Sequence, residues 1–85
     1  MTREEERARG QQAELIIGSP LWAEAWAEFE RSVIAKWRTE PNISTEGREA
    51  LWLSLRIADK ARKHIERVLE TGRMAETQLE DLADG

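Results

Sequence analysis

The sequence contains no cysteine and only one histidine, so it can form no disulfide and lacks the usual ligands of a structural zinc site. Only two prolines and five glycines interrupt it, which favours a few long helices joined by short turns. No stretch approaches the roughly 20 apolar residues of a membrane-spanning helix. The first ten residues lack the apolar centre of a signal peptide. We therefore expect a soluble cytoplasmic protein that does not bind membranes.

Size is the next constraint. A chain of 85 residues forms one domain at most, here predicted as 1–85, and its core is small relative to its surface. Small domains are usually stabilised by disulfides, a metal ion or a partner chain. With the first two excluded, self-association is expected. The net charge of −4 argues against attraction of nucleic acid by the whole surface, although not against a local basic patch.

Capping signals and apolar spacing predict an all-α fold. Ser19-Pro20 is typical of a helix start. A proline also breaks the chain at position 41, and Gly72 is expected to end the second long helix. We predict an antiparallel helical hairpin with short flanking helices, packed into a helical oligomer. The predicted segments are an N-terminal helix or arm in 1–18, long helices at 20–39 and 45–71, and a short C-terminal helix at 74–83.

Apolar residues recur at three- and four-residue intervals along both long helices and predict a packed seam. Its tryptophans could form an aromatic ligand-binding groove or stack on bases, but regular helical spacing favours a core or subunit interface. The predicted seam contains Trp22, Trp26, Phe29, Val33, Trp37, Leu51, Leu55, Ala58, Ile65 and Leu69. Ala50, Leu53, Ile57, Ala61 and Val68 widen it on one side of the second helix.

Trp52 lies about 100° from the seam on a helical wheel, next to a stripe of basic residues. The N-terminal helix, a neighbouring subunit or an external protein partner could cover it. The stripe has the spacing to follow a phosphate backbone. Acidic neighbours, including Asp59 at a favourable distance from Lys63, favour a self-paired face instead. The candidate partner-binding residues are Trp52, Arg56, Lys60, Lys63 and Arg67.

No residue pattern predicts catalysis. The chain has no cysteine or second histidine with which His64 could form a thiol-based dyad or a zinc site. The serines have no base at a recognisable spacing. The chain has no glycine-rich phosphate loop. Arg62 falls within the apolar seam, where we expect it to reach solvent or meet a carboxylate such as Glu30 on the facing helix. We predict neither an enzyme nor a cofactor or metal site.

The segment from Lys36 to Leu82 resembles a group of short helical proteins encoded by tailed phages and prophages. The similarity lies in Trp37 with Thr39 and Pro41, in the run Arg48-Glu49-Ala50-Leu51-Trp52, and in His64 with Val68, Glu70, Thr71 and Gly72. The resemblance implies a phage origin among head and DNA-packaging genes, with the protein located in the host cytoplasm or the virion. It assigns a role to no individual residue.

The leading hypothesis is a phage-encoded, non-catalytic interaction protein that forms a homo-oligomer and serves as a virion or DNA-packaging accessory. One alternative is a small DNA-binding packaging subunit, based on the basic stripe. Another is an inhibitor of a host defence protein, since a small acidic protein can cover a basic surface.

Overall fold

The computed structural model describes residues 1–84, which form three α-helices and no strand. Helix α1 spans Arg3–Ile17, α2 spans Pro20–Thr39 and α3 spans Thr45–Asp84. The prediction of an all-α fold is confirmed. Helix α2 has the predicted bounds, and α3 begins at the predicted residue.

Side-chain caps fix two of the helix starts. Thr2 and Glu5 form a reciprocal capping box, in which the Glu5 amide donates to Thr2 Oγ1 at 3.1 Å. At the start of α3, Ser44 Oγ accepts from the Gly47 amide at 3.0 Å, as expected for an N-cap serine. Gly18 ends α1, where its amide bonds to the carbonyl oxygen of Glu14.

The prediction that Gly72 ends the second long helix is wrong, and so is the separate C-terminal helix at 74–83. Helix α3 continues through Gly72 to Asp84. Gly72 does not adopt the left-handed conformation that ends helices, and no proline follows it. A glycine inside a helix costs about 1 kcal/mol relative to alanine. Tertiary packing against another helix compensates for this cost.

The described chain divides into two compact units. The first, called unit 1, contains residues 1–19 and the part of α3 from Lys63 onward. The second, called unit 2, contains Pro20–Arg62, that is, α2 and the first part of α3.

Unit 1 is held together by a close backbone approach between α1 and α3. Gly10 and Ala13 of α1 are buried, as are Gly72 and Ala75 of α3. A Cβ atom added to Gly10 would lie 2.6 Å from the Cα atom of Gly72, closer than non-bonded carbons can approach. Only glycine at both positions permits this contact.

Unit 2 packs α2 against the first part of α3 around Val33, its only buried hydrophobic residue. The short link between the two helices includes a backbone hydrogen bond from the Ile43 amide to the Glu40 carbonyl oxygen at 3.3 Å. Arg62 of α3 reaches Glu30 of α2, which confirms the expected contact with a carboxylate.

Candidate interaction surface

The seam residues are less covered than the sequence predicts. Val33 is buried, whereas Phe29 and Trp37 are exposed. The remaining seam residues are partly covered: Trp22, Trp26, Leu51, Leu55, Ala58, Ile65 and Leu69. The seam therefore lies at contacts between helices, but a single copy of the chain does not enclose it.

Trp26 is the centre of an aromatic and ionic cluster in unit 2. Its ring meets Trp22 edge to face at 5.3 Å between centroids and Phe29 at 6.4 Å. The Arg62 guanidinium lies 5.2 Å from the Trp26 ring centroid, within range of a cation–π interaction. Arg62 Nη2 donates to Asp59 Oδ1 at 2.8 Å and to Glu30 Oε1 at 3.2 Å.

The Trp26 indole nitrogen is buried but has no hydrogen-bond acceptor among the described residues. A buried donor without an acceptor costs about 1–3 kcal/mol. The cluster is therefore ordered by aromatic packing and by Arg62, and not by a hydrogen bond from the indole N–H.

Apolar surface is abundant. Among the described residues the only buried hydrophobic side chains are Ala13, Val33 and Ala75. Twelve large hydrophobic side chains of residues 1–84 are exposed: Met1, Leu15, Ile16, Leu21, Phe29, Ile34, Trp37, Trp52, Leu53, Ile57, Met74 and Leu82.

One exposed apolar surface forms a row along a single helix face. Ala50, Leu53, Ile57 and Ala61 follow one another on α3 at intervals of three or four residues, and all four are exposed. The exposed fraction is 51% for Leu53 and 60% for Ile57. None of the four carries a charge. We call this surface the α3 apolar row.

The candidate partner-binding residues are all exposed on α3. Trp52 is 55% exposed, and the Arg56 guanidinium lies 5.6 Å from its ring centroid. Among residues 1–84, no ion pair includes Arg56, Lys60, Lys63 or Arg67.

The predicted pair between Asp59 and Lys63 is not formed. Asp59 accepts from Arg62 instead, because Arg62 also reaches Glu30 and the Trp26 ring from the same position. The basic stripe is therefore not the self-paired face that the sequence favours.

A cleft in unit 1 brings a predicted partner-binding residue, Arg67, together with a residue that the sequence analysis did not select. Arg9 of α1 lines this cleft with His64 and Arg67 of α3. These residues meet because α1 contacts α3 through Gly10 and Gly72. In the sequence each of these glycines resembles an ordinary residue that weakens a helix, so no signal predicts the contact.

Among residues 1–84, no three histidine, aspartate or glutamate side chains are grouped so that they could hold a metal ion. None of the three helices has a segment that is long and apolar enough to span a bilayer.

Comparison with known proteins gives no relative: no family model matches the chain, and no curated protein or solved structure matches it significantly.

Proposed function

We propose that this chain is a non-catalytic helical interaction protein that works as a homo-oligomer. Its resemblance to short phage proteins over Lys36 to Leu82 supports a role as an accessory of the virion or of the DNA-packaging machinery. The observation that carries the proposal is the scarcity of buried hydrophobic residues beside so many exposed ones.

The exposed apolar side chains support a second copy as the partner. Residues 1–84 expose twelve large hydrophobic side chains, whereas monomeric soluble proteins rarely expose a contiguous apolar patch larger than a few hundred Å². A stable interface of standard size buries about 800 Å² on each partner and would cover part of this surface.

The α3 apolar row is the surface best suited to this contact. Leu53 and Ile57 provide two branched side chains one helical turn apart, and Ala50 and Ala61 flank them with small side chains. Small residues at both ends allow a second helix to approach closely along about 16 Å of axis. With no charge in the row, its burial against another copy leaves no ion unpaired.

We also propose that α2 and the first part of α3 act as an antiparallel hairpin within the assembly. The five-residue link, 40–44, between α2 and α3 and the Arg62–Glu30 contact support this arrangement. The hairpin holds α3 in place while the α3 apolar row contacts the other copy.

Sedimentation equilibrium across a range of concentrations tests the proposal. We expect the wild type to exceed 9.8 kDa in apparent mass. The double variant Leu53→Ser/Ile57→Ser should shift the midpoint of association at least about tenfold to higher concentration, because each serine removes most of a buried apolar side chain from the interface. Both residues are more than half exposed in one copy, so the variant should keep its helical circular dichroism.

Met74→Ser/Leu82→Ser is the matched control, since these side chains are equally exposed on α3 but lie outside the row. It should associate like the wild type. A wild type that stays monomeric at millimolar concentration would overturn the proposal. Mass spectrometry of purified phage particles tests the proposed accessory role separately.

A further inference from the structure

The cleft between α1 and α3 in unit 1 carries an excess of positive charge. It has a volume of about 370 Å³ and is lined by Met1, Glu6, Arg9, His64, Arg67, Val68 and Thr71. This volume falls within the usual range of small-molecule sites. The lining residues include two arginines and a single carboxylate residue, Glu6.

The backbone contact between Gly10 and Gly72 determines which residues meet here. A Cβ atom on Gly72 would lie 2.5 Å from the Gly10 Cα atom, so the two helix backbones touch at this point. Arg9 directly precedes Gly10, and Arg67 lies five residues before Gly72 on α3. The contact places two arginines at one cleft, where their like charges repel each other and Glu6 is the one acidic lining residue.

The charged groups of the cleft are not neutralised by the protein. Among residues 1–84, no ion pair includes Arg9, Arg67 or Glu6. Lys63, one turn before Arg67 on α3, is also exposed and is absent from these pairs. The cleft therefore has more cations than anions, and its guanidinium donors have no carboxylate partner.

We propose that this cleft binds a phosphate group. Guanidinium groups present paired N–H donors that match the oxygens of a phosphate, and two of them can hold one phosphate from different sides. The Thr71 hydroxyl adds a further donor, and Val68 offers an apolar surface for the rest of the ligand. The phosphate can belong to a small phosphorylated molecule or to a nucleic-acid backbone.

Nuclear magnetic resonance titration of the full chain tests this site. The probes are inorganic phosphate, adenosine monophosphate and a single-stranded oligonucleotide, each added at constant ionic strength. We expect saturable shifts of the arginine side-chain Nε–H signals of Arg9 and Arg67. Arg9→Gln and Arg67→Gln should each weaken binding at least about tenfold, because each removes a charged donor.

Arg7→Gln is the control, since Arg7 is an exposed arginine on the same helix that does not line the cleft, and the charge change is identical. Circular dichroism should show that all three variants keep their helices. Tighter binding of the mononucleotide assigns the cleft to small phosphorylated ligands. Tighter binding of the oligonucleotide, weakening steeply with added salt, assigns it to a nucleic-acid backbone. Shifts that never saturate, or an equal loss of binding in Arg7→Gln, would overturn the proposal.

Discussion

At the residue scale, two glycines and one arginine determine most of the packing in a chain with a small core. Gly10 and Gly72 allow α1 and α3 to touch, and Arg62 connects α3 to α2 through two carboxylates and a tryptophan ring. Neither contact depends on a large buried side chain. Each can therefore be tested with a single substitution.

The Gly10–Gly72 contact predicts that Gly72→Ala destabilises the protein. In an ordinary helix this change stabilises by about 1 kcal/mol. Here the new Cβ atom would lie 2.5 Å from the Gly10 Cα atom and 2.9 Å from the Glu6 carbonyl oxygen. Because backbone atoms cannot move aside as a side chain can, we expect a net loss of about 1–3 kcal/mol in thermal unfolding.

Gly47→Ala is the control for helix propensity, because the nearest atoms to its added Cβ belong to the side chains of Ile43 and Ser44 and not to backbone. The closest of these, Ile43 Cγ1 at 2.9 Å, is part of a side chain that can rotate away, so the effect should be smaller. A higher melting temperature for Gly72→Ala would show that the two helices do not touch at this position.

The Arg62 cluster predicts that Arg62→Met lowers the free energy of unfolding by about 1–2 kcal/mol. Methionine keeps the apolar stem but loses the bonds to Glu30 and Asp59 and the contact with the Trp26 ring. Arg31→Met removes an arginine whose pair with Glu28 is well exposed, and it should cost less than about 0.5 kcal/mol. Chemical denaturation of both variants measures the difference. Equal losses would show that the Trp26 contact contributes nothing.

At the element scale, local signals predict where helices begin and tertiary contacts decide where α3 ends. Ser44 and Pro20 act within one helical turn, so their effects are visible in the sequence. Gly72 could end a helix or pack inside one, and only the approach of α1 decides between them. The exposure of Trp52 was predictable from its position on the helical wheel. The cleft at Arg9 and Arg67 was not predictable, because it depends on the long-range contact between α1 and α3.

The continuity of α3 can be measured directly as a distance. Two spin labels at positions 66 and 80 span Gly72 and should lie about 21 Å apart in a narrow distribution if the helix is unbroken. Labels at positions 46 and 60, with the same separation in sequence, provide the reference. Dilution with unlabelled protein removes distances between copies. A distribution that is clearly broader for positions 66 and 80 would indicate a break at Gly72.

At the scale of the whole molecule, little apolar surface is enclosed within one copy. Among residues 1–84 the buried hydrophobic residues are Ala13, Val33 and Ala75, and large hydrophobic side chains are exposed on all three helices. A second copy contacting the α3 apolar row would cover part of this surface. Stability should then depend on concentration, because association favours the folded chain by mass action.

The proposed association predicts that thermal unfolding depends on protein concentration. If folding is coupled to the proposed association, the melting temperature should rise as the protein concentration increases from micromolar to millimolar. Leu53→Ser/Ile57→Ser should reduce this dependence, whereas Met74→Ser/Leu82→Ser should leave it unchanged. A melting temperature that is independent of concentration in the wild type would be inconsistent with coupled association.

The proposed contact between two copies at the α3 apolar row can be detected directly. In an equal mixture of ¹³C-labelled and unlabelled protein, isotope-filtered nuclear Overhauser measurements record only contacts between different copies. We expect such contacts at the methyl groups of Leu53 and Ile57, which are exposed in a single copy. The absence of these contacts, at a concentration where sedimentation shows an oligomer, would contradict it.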